Sequence, residues 1–163
     1  MSNKTLLFFI LFLGHLHLAK SQSENCDTQE IKLIGTWEFV DLRDSLGAKI
    51  DTIWHEVVKG YEIPKGPLTT FRADGVYTDQ FTPQNTDQGL WCYDAENSRI
   101  IRKLYYQRPY SPSAKYVIAN GYAMQDEKGD YYEVQIDTVV KLTQKTLILL
   151  EENNRQRKFR KEN

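Results

Sequence analysis

Residues 131–142 read Tyr-Tyr-Glu-Val-Gln-Ile-Asp-Thr-Val-Val-Lys-Leu and carry the clearest period in the chain. On an extended backbone Tyr132, Val134, Ile136, Thr138, Val140 and Leu142 share one face, while Glu133, Gln135, Asp137 and Lys141 share the other. Successive side chains of a strand point to opposite sides, so an alternation this long specifies a β-strand with one face for the core and one for water. The apolar face is the one expected inside.

The same period recurs on both sides of this stretch, broken by turn chemistry. Gly35–Arg43 (GTWEFVDLR) is aromatic and β-branched, with Trp37 and Phe39 on one face and Val40 and Leu42 on the other. Leu68–Phe71 and Val76–Phe81 flank Asp74-Gly75, a hairpin signal because glycine accepts positive φ without steric cost. Leu90–Asp94 pairs in expectation with Arg99–Tyr106, Tyr116–Gln125 with the segment quoted above, and Thr146–Glu151 with Gln156–Arg160 across Asn153-Asn154. Residues 107–113 (QRPYSPS), with two prolines, read as a loop.

Two stretches depart from the period. Residues 29–34 (QEIKLI) suit a single helical turn leading into the first strand. Ile50, Ile53, Trp54, Val57 and Val58 fall at helical spacing ahead of Gly60, which predicts an amphipathic helix over Lys49–Lys59, with a twisted strand as the competing reading. The sum is eight or nine sequentially linked strands and one short helix. That is an all-β, antiparallel, up-and-down arrangement, and rolling it into a barrel removes the exposed edges that would otherwise pair with other chains. An eight-stranded barrel is filled by side chains or holds one small ligand.

The first residues point to export. One positive charge at Lys4 precedes the apolar run Leu6–Leu18, which is too short to span a bilayer, and small residues follow at Ala19 and Ser21. Residues 1–21 are therefore expected to be a cleaved signal peptide, 22–30 a polar arm and 31–163 the folded domain, in a periplasmic or extracellular setting with no later membrane segment. Loss of Lys4 and Lys20 takes 21 basic side chains to 19 against 22 acidic, a net charge of about −3 that gives no footprint for nucleic acid or an anionic membrane. The two cysteines, Cys26 and Cys92, can pair in an oxidising compartment, closing a loop valued at about 4 kcal/mol. The competing reading makes Cys92 a small core residue.

Gly35-Thr36-Trp37 at the head of the first strand resembles the GxW signature of lipocalins. With Phe71-Arg72-Ala73-Asp74-Gly75-Val76-Tyr77, Gly89-Leu90-Trp91-Cys92-Tyr93-Asp94 and Val139-Val140-Lys141-Leu142-Thr143 in order, residues 31–161 resemble the small bacterial lipocalin-like domain family. The resemblance implies a lipocalin-like β-barrel with an apolar pocket and no family-wide catalytic residues; it does not specify a ligand. It also implies a last-strand arginine over the first tryptophan, for which Arg157 is the candidate partner of Trp37, with Gly35 and Trp37 as structural residues. The longer segments 46–67 and 107–120 depart from the family pattern and suit binding loops, with Trp54 as a lid or a plug.

Catalytic and metal chemistries find little to work with. Of three histidines only His55 survives signal cleavage, which excludes a His-cluster metal site and leaves any catalytic dyad to one residue. No phosphate loop, CxxC or nucleophile elbow is present, and the basic run 155–161 reads as a solvated strand. The expectation is a monomeric, non-enzymatic binding protein without cofactor, holding a small hydrophobic or amphipathic molecule against Phe71, Tyr77, Trp91, Tyr93, Tyr132, Val134 and Trp54. The alternative is an envelope interaction module with a filled barrel and a protein partner, contacted through aromatics such as Tyr105, Tyr106, Tyr110 and Tyr116.

Overall fold

The computed structural model describes residues 30–57, 59–151 and 153–162. The expected signal peptide, nearly all of the expected arm and Cys26 lie outside the described residues. In chain order the elements are β1 (Gly35–Arg43), β2 (Lys49–Ile50), β3 (Ile53–His55), β4 (Gly60–Glu62), β5 (Leu68–Phe71), β6 (Val76–Thr82), β7 (Asn85–Asp94) and β8 (Arg99–Tyr105). Helix α1 (Pro112–Ala119) follows, then β9 (Met124–Gln125), β10 (Tyr131–Leu142), β11 (Thr146–Leu150) and β12 (Gln156–Lys161). Eight strands, β1, β5–β8 and β10–β12, each pair antiparallel with the next, and β12 returns to β1 to close the barrel. The result is the all-β, antiparallel, up-and-down barrel that the alternation predicts, and it agrees with the barrel that the lipocalin resemblance implies.

Local chemistry sets the strand ends. Gly75 takes φ 81° in the β5–β6 turn, and Asp74 accepts the Val76 amide at 3.2 Å. Asn154 takes φ 60° between β11 and β12, the left-handed conformation asparagine tolerates. Gly89 serves packing instead: a Cβ there would overlap the Lys103 carbonyl and the Tyr77 ring, so its absence lets β7 and β8 close over Tyr77.

The expected helix over Lys49–Lys59 is absent: β2 adds to β1, and β3 and β4 form their own small hairpin. Ile50, Thr52, Ile53 and Val57 are β-branched and lose side-chain freedom in a helix. No apolar surface receives the would-be stripe either, because Trp54 is 41% and Val57 96% exposed. Among the described residues the helix lies elsewhere, running from the end of the expected 107–113 loop into the start of the expected strand Tyr116–Gln125. Ser111 caps it by accepting the Ala114 amide at 3.2 Å, and Pro112 occupies the first turn, where its missing N–H costs nothing.

The barrel has two unlike halves. At the end where β1 begins, Leu33 sits fully buried on a turn closed by its own amide to the Glu30 carbonyl at 2.8 Å, and its carbonyl accepts Trp37 Nε1 at 2.7 Å. Trp37, Phe71, Trp91, Ile100, Leu147, Leu149 and Phe159 complete a dry core above it, with Tyr77 at its upper limit. The opposite end receives both long connections, residues 44–67 between β1 and β5 and 106–130 between β8 and β10. There the inward-facing side chains are charged.

Candidate functional site at the charged end of the barrel

Strand β10 decides the character of this end, because it is seated with its faces opposite to expectation. Its odd-numbered residues turn inward: Asp137 is buried against Arg102 and Arg157, Gln135 lines the interior, and Glu133 accepts the Tyr106 hydroxyl at 2.8 Å. The apolar set turns outward, leaving Ile136 49% and Val140 50% exposed. Of that set only Leu142 packs against the core: Val139 still follows the odd inward phase, and the bulge between Val139 and Lys141 then shifts the phase so that Leu142 faces inward too.

An ion network centred on buried Arg102 and Asp137 crosses the barrel from β5 to Glu151, the residue after β11. Thr69 donates to Asp79 Oδ1, and Asp79 Oδ2 accepts Arg102 Nη1 at 2.6 Å. Arg102 Nη2 lies 2.7 Å from Asp137 Oδ2, Arg157 Nη2 donates to Asp137 Oδ1 at 2.6 Å, and Arg157 Nε lies 3.1 Å from Glu151. Arg102, only 5% exposed, is the hub and stacks 5.4 Å above the Tyr77 ring. Burial works against its charge, but Asp137 and Asp79 outweigh that and hold the guanidinium protonated. Its Nε remains a buried donor with no hydrogen-bond partner among the described residues. Leaving such a donor unsatisfied costs about 1–3 kcal/mol.

Charge does not balance here. Asp79, Asp87 and Glu151 line the space with Arg102, Arg157 and Lys65, and two further carboxylates stand beside it, Asp137 on Arg102 and Arg157, and Glu133 close enough to act on Asp87. Desolvation raises the Asp87 carboxyl above its ordinary range, and the neighbouring Asp79 and Glu133 raise it further. The Tyr77 and Tyr106 hydroxyls are each pushed up to about 12, Tyr77 by burial and Tyr106 by burial together with its bond to Glu133. A cavity of about 270 Å³ lies among these groups, bounded also by Gly66, Pro67, Phe81 and Leu104.

Of the residues expected to line an apolar pocket, Phe71, Tyr77 and Trp91 are buried within the packed core, with Phe71 and Trp91 rings 5.0 Å apart, and Tyr93 packs against that cluster. Only Tyr77 also reaches the cavity. Tyr132 and Val134 are on the outward face of β10, where Tyr132 stacks 5.4 Å from Tyr105. Trp54 stacks on Tyr61 at 4.8 Å on the β3–β4 hairpin, outside the core. His55 is on the same hairpin, with Nε2 2.7 Å from Glu62; both are exposed and neither lines the cavity.

The expected cation over Trp37 is Lys161, with Nζ 5.2 Å from the ring centre, and not Arg157. The strand register explains the correction, since Lys161 is paired with Trp37 while Arg157 is paired with Leu42, higher in the barrel and beside Asp137. Gly35 occupies the pairing position opposite Phe71 and has φ 125°. Cys92 faces outward on β7 opposite Ile101, and no free cysteine occurs among the described residues.

Sequence reasoning passed over Asp79, Asp87 and Arg102, assigned Glu133 and Asp137 to the water face of their strand, and read Glu151 as solvated. A signal for most of them exists: Asp79 follows Tyr77 by two, Arg102 follows Ile100, Asp87 precedes Gly89 and Trp91, and Arg157 precedes Phe159. Each charged residue thus shares its strand face with a core residue, on four different strands.

Two solved structures resemble this chain: a lipocalin-like protein from Bacteroides uniformis, at 16% identity and a TM-score of 0.46, and an uncharacterized protein from Bacteroides eggerthii, at 15% identity and 0.45. Each alignment covers 80% of this chain and 99% of the other. No protein-family model and no curated protein matches.

Proposed function

We propose that this protein is an exported, non-catalytic binding protein that takes a small amphipathic molecule with a positively charged end into the charged half of its barrel. The observation that carries this reading is the set of five carboxylates, Asp79, Asp87 and Glu151 lining a cavity of about 270 Å³ and Asp137 and Glu133 beside it, against the three cations Arg102, Arg157 and Lys65. Charges held in a partly desolvated site interact more strongly than in water, so a cation placed among them gains where an anion is repelled. An acceptor next to the ligand's positive group would satisfy Arg102 Nε. A wholly hydrophobic ligand finds less support, because side chains occupy the apolar half.

Export rests on the signal-like residues 1–21, and a Cys26–Cys92 disulfide, strapping the arm to the outside of β7, would suit that compartment. The test is calorimetric titration of the mature protein with N-acetyl-lysine methylamide, N-acetyl-arginine methylamide, N-acetyl-glutamate methylamide and dodecanoate. The two cations are expected to bind and to lose affinity in Asp87→Asn. Binding of dodecanoate or the acidic compound in preference to the cations would overturn the reading.

A further inference from the structure

The wall of the barrel is incomplete next to this site. β10 has twelve residues but β11 only five, and their pairing begins at Thr138 opposite Leu150. On the same side of β10, β9 covers only Tyr131 and Tyr132. Between these two partners, residues 133–137 pair with β8 alone among the described residues.

The hydrogen-bond phase shows which groups face the gap. Tyr106 donates to the Tyr131 carbonyl and the Val139 amide donates to Ser98, so odd-numbered residues of β10 turn their backbone groups toward β8. In an antiparallel ladder alternate residues bond to opposite sides, which leaves the N–H and C=O groups of Val134 and Ile136 pointing into the gap. No bond to these four groups occurs among the described residues. An open groove of about 610 Å³ runs along them, with Val134, Ile136 and Leu150 toward solvent and Arg102, Gln135, Glu151 and Arg157 toward the interior. The last four residues also line the inner cavity, so the gap opens onto it from the side.

We infer that this gap is a docking slot for one extended peptide segment of another protein, lying antiparallel to β10 and inserting a lysine or arginine side chain into the cavity toward Asp87 and Glu151. The inference rests on the cationic-ligand reading above and names the form in which the cation arrives. Main-chain bonds to an open edge supply affinity, and pockets for alternate side chains supply selectivity. The slot is about 20 Å long from Tyr132 to Thr138 at the usual rise per residue, which admits about five peptide residues between β9 and β11. Residues opposite Val134 and Ile136 would point outward beside those apolar side chains, and the one between them inward. Charge complementarity selects the inward residue: Asp79, Asp87, Asp137 and Glu151 line the groove and cavity against Arg102, Arg157 and Lys65, and Glu133 adds its charge beside Asp87.

The probe is acetyl-Thr-Val-Lys-Val-Thr-amide, titrated into the mature protein beside N-acetyl-lysine methylamide and the peptide with glutamate for lysine. The lysine peptide is expected to bind at least tenfold more tightly than the single capped residue, and the glutamate peptide not to bind. Val134→Pro removes one edge N–H that the fold does not use, so it should leave the barrel folded and cancel the peptide's advantage while capped lysine still binds. If that variant does not fold, the peptide N-methylated at both valines puts the same question to the wild-type protein. A peptide no tighter than capped lysine, or indifferent to the proline and to N-methylation, overturns the slot and leaves the cation site standing. Failure of both the peptide and capped lysine overturns both readings. A dimer that Val134→Pro dissolves in sedimentation, or peptide affinity appearing only after residues 22–25 are removed, would assign the slot to a second copy or to the chain's own arm and overturn the stated occupant.

Discussion

The lower and upper halves of the barrel are made by the same strands, yet one is dry and the other ionic. On β6, Tyr77 closes the core and Asp79, two residues on, enters the ion network; on β8, Ile100 and Arg102 divide the same way, and on β12, Phe159 and Arg157. The lower end has its own lid in Leu33 and is sealed by aromatic packing. The upper end opens between the long connections, where charges of both signs line the cavity and Asp137 and Glu133 beside it leave carboxylates in excess. Conformational uniqueness thus comes from packing in one half, and chemical selectivity from charge in the other.

Removing the hub tests this contrast most severely. Arg102→Met leaves Asp79 and Asp137 buried without their main counter-charge and should cost about 3–5 kcal/mol in urea unfolding. Adding Asp79→Leu and Asp137→Leu should recover most of that loss while weakening cation binding. A triple variant as unstable as Arg102→Met would mean that the network is needed for the fold itself. Phe71→Ala in the dry half should also cost about 3–5 kcal/mol, by cavity formation, with cation affinity unchanged. If affinity fell in step with stability, the two halves would not be separable.

Gly89→Ala, at the boundary, should cost roughly 1–3 kcal/mol by forcing β7 from β8 over Tyr77, read as a lower thermal midpoint. The smallest effect is expected at Asp87. Its carboxyl is raised in the folded protein, so the stability it contributes is complete below the ordinary carboxylate range and is lost as pH rises through the raised value. Asp87→Asn should therefore match the wild type at low pH and be slightly more stable above that window. Cation affinity of the wild type should fall as pH drops through the same window, and a flat affinity there would remove Asp87 from the site.

Much of the fold was legible because strand alternation and turn chemistry are local. Gly35–Arg43, Leu68–Phe71 and Tyr131–Leu142 have the ends that their sequences predict, and Asp74-Gly75 makes its hairpin. Helical spacing misled at residues 49–59, since periodicity proposes a face but a neighbouring surface must receive it. Ser111-Pro112 carried a readable cap and first turn, obscured by reading both prolines as loop.

The chain by itself determined that Tyr131–Leu142 would be a strand with one polar and one apolar face, and that enough such strands would close on one another. Only the tertiary structure decided which face went inside. A period of two is unchanged by turning the strand over, so the choice falls to its neighbours: Arg102 and Arg157, already facing inward beside core residues, give Asp137 partners that water would otherwise have to supply.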